Sequence, residues 1–138
     1  MNEARGTFET TIWVEETWDE PASGTKLTRA VAANRFLGGV QGEGAQQLLM
    51  TYVEGLPTRF HGIERVRGRL GEREGAFVLE HTGTASPNEA GDEWVVEATW
   101  RVVPGSGSDG LRGLRGDGSY RWDGHESRYI LAYAFDPE

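Results

Sequence analysis

Apolar and polar residues alternate with a period of two along most of this chain. No window of a dozen residues keeps a 3.6-residue repeat free of glycine and β-branched side chains. Alternation of this kind sends successive side chains to opposite faces of an extended strand. In "GTFETTIWV", Phe8, Thr10, Ile12 and Val14 fall on one face and Thr7, Glu9, Thr11 and Trp13 on the other, which predicts a first strand over about residues 6–14. "EETWDEPASG", broken by Pro21 and Gly24, reads as a loop. Further strands are expected in "KLTRAVAANRFL", "GEGAQQLLMTYV", "TRFHGIERVRGRL", "AFVLEHTGT", "WVVEATWRVV", "GSYRW" and "SRYILAYAFD". Ala45 to Met50 has the propensity for a helical turn, but it lies inside an alternating run and is assigned to a strand.

Seven or eight strands joined by short turns describe a meander rather than a series of βαβ units. Eight strands of about ten residues, with seven connections of ~4–6, fill roughly 110–120 residues, which suits a chain of 138. The expected fold is all-β: an eight-stranded antiparallel up-and-down β-barrel in a single domain, residues 1–138. A two-sheet sandwich is the alternative. Gly62 and Gly68, inside one strand, suit the bends that a small barrel needs.

Composition supports this picture and narrows the function. Glycine contributes 20 residues, about twice the ~7% of ordinary proteins, and favours turns and bulges over long helices. With 22 acidic against 14 basic residues and a formal charge of −8, the chain repels phosphate backbones, and nucleic acid is not an expected partner. The absence of cysteine excludes disulfides, a thiolate nucleophile and Cys-ligated metals. The first residues, "MNEARGTFETTIWVEE", do not follow a basic-then-apolar signal pattern, and no run approaches the ~20 apolar residues of a spanning helix. A soluble cytoplasmic protein without membrane contact is expected.

"PGSGSDGLRGLRGDG", Pro104 to Gly118, contains GxGxxG after an apolar run. A dinucleotide cradle requires that turn to open a helix. The glycines at 113, 116, 118 and 124 deny one. Leu111 and Leu114 call for burial, so the stretch is expected to cross and plug one end of the fold.

"ARGTFE", "KLTRA", "GEG", "GIERVRGRLGEREGAFVLEHTGT" and "VVPGSGSDGLRGLRGDG" together resemble an uncharacterised bacterial family, domain of unknown function 3224, over about residues 4–136. That family is similar in fold to allene oxide cyclase and the dirigent proteins. The resemblance implies an eight-stranded barrel around a mostly apolar cavity, a small hydrophobic ligand, no cofactor, and a homo-oligomer, either dimer or trimer. The function it implies is binding of a small hydrophobic molecule, extending to cofactor-independent isomerisation or cyclisation. A non-catalytic sequestering or structural barrel is the alternative.

Candidate chemistry centres on Glu64 and His81, each on a strand face with bulky apolar residues and on strands expected to pair. A carboxyl group in a poorly solvated cavity can act as a general acid or base, with the imidazole as proton partner. A buried hydrogen-bonded pair that only holds the fold is the competing reading. His61 and Glu64, three apart on a strand, face opposite ways, and no metal site is expected. Arg65, Arg67 and Arg69 form a stripe assigned to a solvated outer face. Tyr52, Phe60, Phe77, Trp94, Trp100 and Tyr133 are the candidate ligand-binding residues, and Trp13, Trp122 and Tyr129 are further aromatics that could line a cavity or fill a core.

Overall fold

A computed structural model describes residues 2–137, all in β-strands and turns. The strands are β1 (Asn2–Ala22), β2 (Thr25–Gly38), β3 (Val40–Val53), β4 (Thr58–Leu70), β5 (Arg73–Pro87), β6 (Trp94–Val102), β7 (Ser108–Asp109), β8 (Leu114–Trp122) and β9 (Ser127–Phe135). All pairings are antiparallel. Because β4 pairs with both β3 and β5, and β1 with both β2 and β9, eight strands close into a ring, with the two-residue β7 attached to β5. One continuous sheet replaces the two of a sandwich. Among the described residues no helix is long and apolar enough to cross a membrane.

The first strand departs from the sequence pattern. A register shift between Thr10 and Ile12 puts an extra residue into β1 and reverses its parity, so Ile12 and Val14 are exposed, at 57% and 53%. Beyond the bulge Trp13 pairs with Ala32 and Glu15 with Ala30, both buried. Simple alternation from Phe8 therefore assigns the wrong face after Thr10. The expected loop is also strand: β1 continues to Ala22, and Pro21 is accommodated in a further irregularity between Asp19 and Ala22. From Glu9 onward β1 pairs with β2 alone, because β9 ends its pairing with β1 at Phe8 and Ser127.

Inward positions fill the two ends differently. At one end Phe36, Val66, Leu70, Phe77, Leu79, Trp100, Val102 and Leu131 form a packed core. Leu111 and Leu114, exposed by 0% and 1%, complete it from the glycine-rich crossing. That crossing is held by side chains rather than a helix: Ser106 Oγ accepts from Val78 N–H at 3.0 Å and Ser108 Oγ from Ala76 N–H at 3.2 Å. Gly107 permits the close approach, since a Cβ there would overlap the Leu111 carbonyl oxygen. Toward the other end lies a smaller cluster of Ala30, Leu48, Met50, Phe60 and Ala98, and there the interior is hollow.

Candidate functional site

A belt of polar side chains separates the two clusters. On β2 to β4 one inward polar residue stands between apolar ones: Asn34 lies between Ala30 and Phe36, Gln46 between Val40 and Leu48, Glu64 between Phe60 and Val66. His81 follows Phe77 and Leu79 on β5. Register places Gln46 opposite Glu64, and His81 opposite Gly62, one diagonal step away. Gly44 makes room for this arrangement: a Cβ there would overlap Glu64 Oε2 and crowd Phe36.

The four side chains close a cycle. Asn34 Nδ2 donates to Glu64 Oε2 at 2.7 Å and to Gln46 Oε1 at 2.9 Å, while Asn34 Oδ1 accepts from the Thr10 hydroxyl at 2.7 Å. Gln46 Nε2 lies 3.2 Å from His81 Nδ1, and His81 Nε2 lies 3.0 Å from Glu64 Oε1. The last contact is at ion-pair distance, yet the two atoms lack the alignment of a hydrogen bond and have no other partner among the described residues. It is an electrostatic contact rather than a formed bond.

Donor counting gives the belt a direction. A carboxylate only accepts, so Asn34 must turn its amide nitrogen to Glu64. The same nitrogen requires Gln46 to answer with its oxygen, which leaves Gln46 Nε2 facing His81. Nδ1 then accepts, and the imidazole carries its proton on Nε2, toward Glu64. All four residues are buried, from 1% exposure at Glu64 to 6% at Gln46.

Next to the belt is a cavity of about 810 Å³ that opens at the hollow end. Phe8, Leu48, Met50, Phe60 and Val96 form its apolar wall, and Thr10, Gln46 and Tyr120 are its deep polar lining. Trp13, Trp122, His125 and Glu126 stand around it as well, with Arg35 and Glu9, themselves 3.5 Å apart. The Tyr120 ring is 6.0 Å from the His81 ring and 5.6 Å from the Trp100 ring. Desolvation, reinforced by the Glu64 charge, holds the Tyr120 phenol well above the ordinary tyrosine range.

The structure brings Glu64 and His81 together, but neither lines this cavity; Gln46 stands between the pair and the hollow. Of the aromatic candidates, Phe60 is on the cavity wall. Tyr52 packs against the adjoining cluster and donates to Glu15 Oε2 at 2.5 Å, which also accepts from the Thr28 hydroxyl at 2.7 Å. Burial and the Glu15 carboxylate push the Tyr52 phenol up to about 12. Phe77 and Trp100 lie in the packed core, Tyr133 rests against it, and Trp94 is half exposed at the start of β6. Arg65, Arg67 and Arg69 are on the outer face, as is His61.

Asn34, Gln46 and Tyr120 escaped the sequence reading. Amides and a phenol carry no motif; Asn34 shares its strand face with Ala30 and Phe36, and Gln46 with Leu48 and Met50, but alternation in β2 leaves open which face points inward.

These features define a closed antiparallel ring of strands with one packed end, one hollow end and a buried polar belt between them. The chain belongs to the family described as Protein of unknown function (DUF3224), which matches residues 4–133. It is similar to the crystal structure of a DUF3224 protein of unknown function from Shewanella oneidensis MR-1, with 25% identity, a TM-score of 0.78, and coverage of 100% of this chain and 99% of that one. No curated protein matches.

Proposed function

We propose that this chain is a small-molecule-binding barrel of the allene-oxide-cyclase-like, up-and-down type, taking a hydrophobic ligand into the hollow end. The cavity of about 810 Å³ carries this reading. Its volume falls within the roughly 300–1,000 Å³ of ligand sites, and its mostly apolar wall with a few convergent polar groups is their usual chemistry. The test is titration of an environment-sensitive apolar dye into the full chain, then into Met50→Arg and Phe60→Trp, which fill or charge the wall. Saturable binding that both substitutions abolish is expected; dye binding unaffected by either would defeat the proposal.

A second reading, cofactor-independent isomerisation or cyclisation, is favoured by one observation. The Glu64–His81 pair is sealed from solvent yet joined to the cavity lining through Gln46. In that reading the belt stabilises charge developing on the substrate, through Gln46. Loss of turnover with retained affinity in Glu64→Gln supports it, whereas unchanged turnover removes it.

The same proposal takes the chain as an oligomer of identical copies in the cytoplasm. Ile12, Val14, Val31, Leu49 and Ile63 are exposed large apolar residues on the outer face of β1 to β4, with Val14 opposite Val31, and they favour a covered surface. Light scattering of the chain and of Leu49→Lys/Ile63→Lys tests this, and a wild-type monomer is the refuting result.

A further inference from the structure

The belt determines which hydrogen-bonding groups face the ligand. Gln46 Nε2 has two hydrogens; one points to His81 Nδ1, and among the described residues no acceptor takes the other. Gln46 Oε1 is occupied by Asn34. The Tyr120 hydroxyl, also on the cavity lining, has no hydrogen-bond partner among the described residues. The deep lining therefore presents two unspent donors. The other lining oxygens are the hydroxyls of Thr7, of Thr10, whose proton is committed to Asn34 Oδ1, and of Ser127, and the carboxylates of Glu9, beside Arg35, and Glu126.

The geometry points to a ligand whose buried end carries a neutral acceptor oxygen, a ketone, enone, ether or epoxide, received by the Tyr120 hydroxyl and the free amide hydrogen of Gln46. This rests on the reading of the cavity as a ligand site and goes further by naming the group bound there. A carboxylate is disfavoured at the same place, because the Glu64 charge that opposes ionisation of Tyr120 opposes any second anion beside it. A pure hydrocarbon would strand both donors, each of which must give up water to line the cavity. Glu64 takes part only at a distance: by orienting Asn34 it directs the nitrogen of Gln46, rather than its oxygen, toward His81 and the hollow.

The experiment compares acetylnaphthalene with ethylnaphthalene, matched in shape and differing by the carbonyl oxygen, in calorimetric titrations of the full chain and of Tyr120→Phe. Because the Tyr120 hydroxyl bonds no other group among the described residues, its removal breaks no hydrogen bond described there. Tyr120→Phe is expected to weaken the ketone by about two- to tenfold, one hydrogen bond's worth, and to leave the hydrocarbon no weaker, or tighter, because it no longer strands the hydroxyl. The infrared carbonyl band of the bound ketone should lie at lower frequency in the wild type than in the variant. If both probes bind and Tyr120→Phe affects them equally or not at all, the donor assignment is wrong and the cavity reading survives. If neither probe binds the wild type, both fall together.

Discussion

Gln46 Nε2 lies 3.2 Å from His81 Nδ1, and that contact sets the tautomer of a histidine that is 2% exposed. A proton on Nδ1 would meet the amide hydrogens of Gln46, and turning that amide over would set its nitrogen against the nitrogen of Asn34. We expect nitrogen NMR of the ring to report Nε2–H in the wild type and a changed pattern in Gln46→Glu, whose carboxylate can accept from Nδ1. An identical spectrum in the variant would contradict the donor direction.

Glu64→Gln replaces two acceptor oxygens by one acceptor and one donor. Either Asn34 Nδ2 or His81 Nε2 then faces an N–H group in the interior. A loss of about 1–3 kcal/mol in urea unfolding is expected, the cost of a buried polar group left without its partner. No change in the midpoint would mean that the cycle is not formed.

Gly44→Ala tests the space given to the carboxylate. The added methyl overlaps Glu64 Oε2, so either the carboxylate or β3 must move, at a cost of about 1–3 kcal/mol. The variant should also change the His81 ring resonances. Gly55, with open space around it, is the matched control for the added methyl, although its φ of 82° carries its own backbone cost.

Leu111→Ala removes a side chain that is fully buried in the packed end. We expect about 2–5 kcal/mol of destabilisation with the dye affinity of the hollow end retained, since the belt separates the two. A parallel loss of binding would show the ends to be coupled.

Alkaline stability should depend on Tyr52. Its phenol ionises near the ordinary value of 10 when unfolded and near 12 when folded, so the folded state holds its proton longer. This contribution is complete below pH 10 and is lost as pH rises from 10 to 12. Tyr120 and Tyr129 are raised too, so the measurement is the difference between wild type and Tyr52→Phe. The variant should lose less stability over that interval, and parallel curves would rule the assignment out.

Strand class, the eight strands of the ring and the burial of Leu111 and Leu114 were legible in the sequence, because period-two alternation and turn glycines are local properties, whereas the two-residue β7 was not. The nearness of Glu64 and His81 was legible as well, since a short hairpin fixes the register of its two strands. The parity of β1 beyond Thr10 was not: a bulge depends on how β1 pairs with β2, and no local rule places it. The Glu64 cycle likewise joins residues from β2, β3, β4 and β5, and the registers of the three successive pairings bring their inward positions to one level. By alternation alone the sequence determines that polar residues interrupt apolar faces. Tertiary structure decides that they interrupt them at the same height, because strand pairing and stagger act over distances that periodicity does not encode.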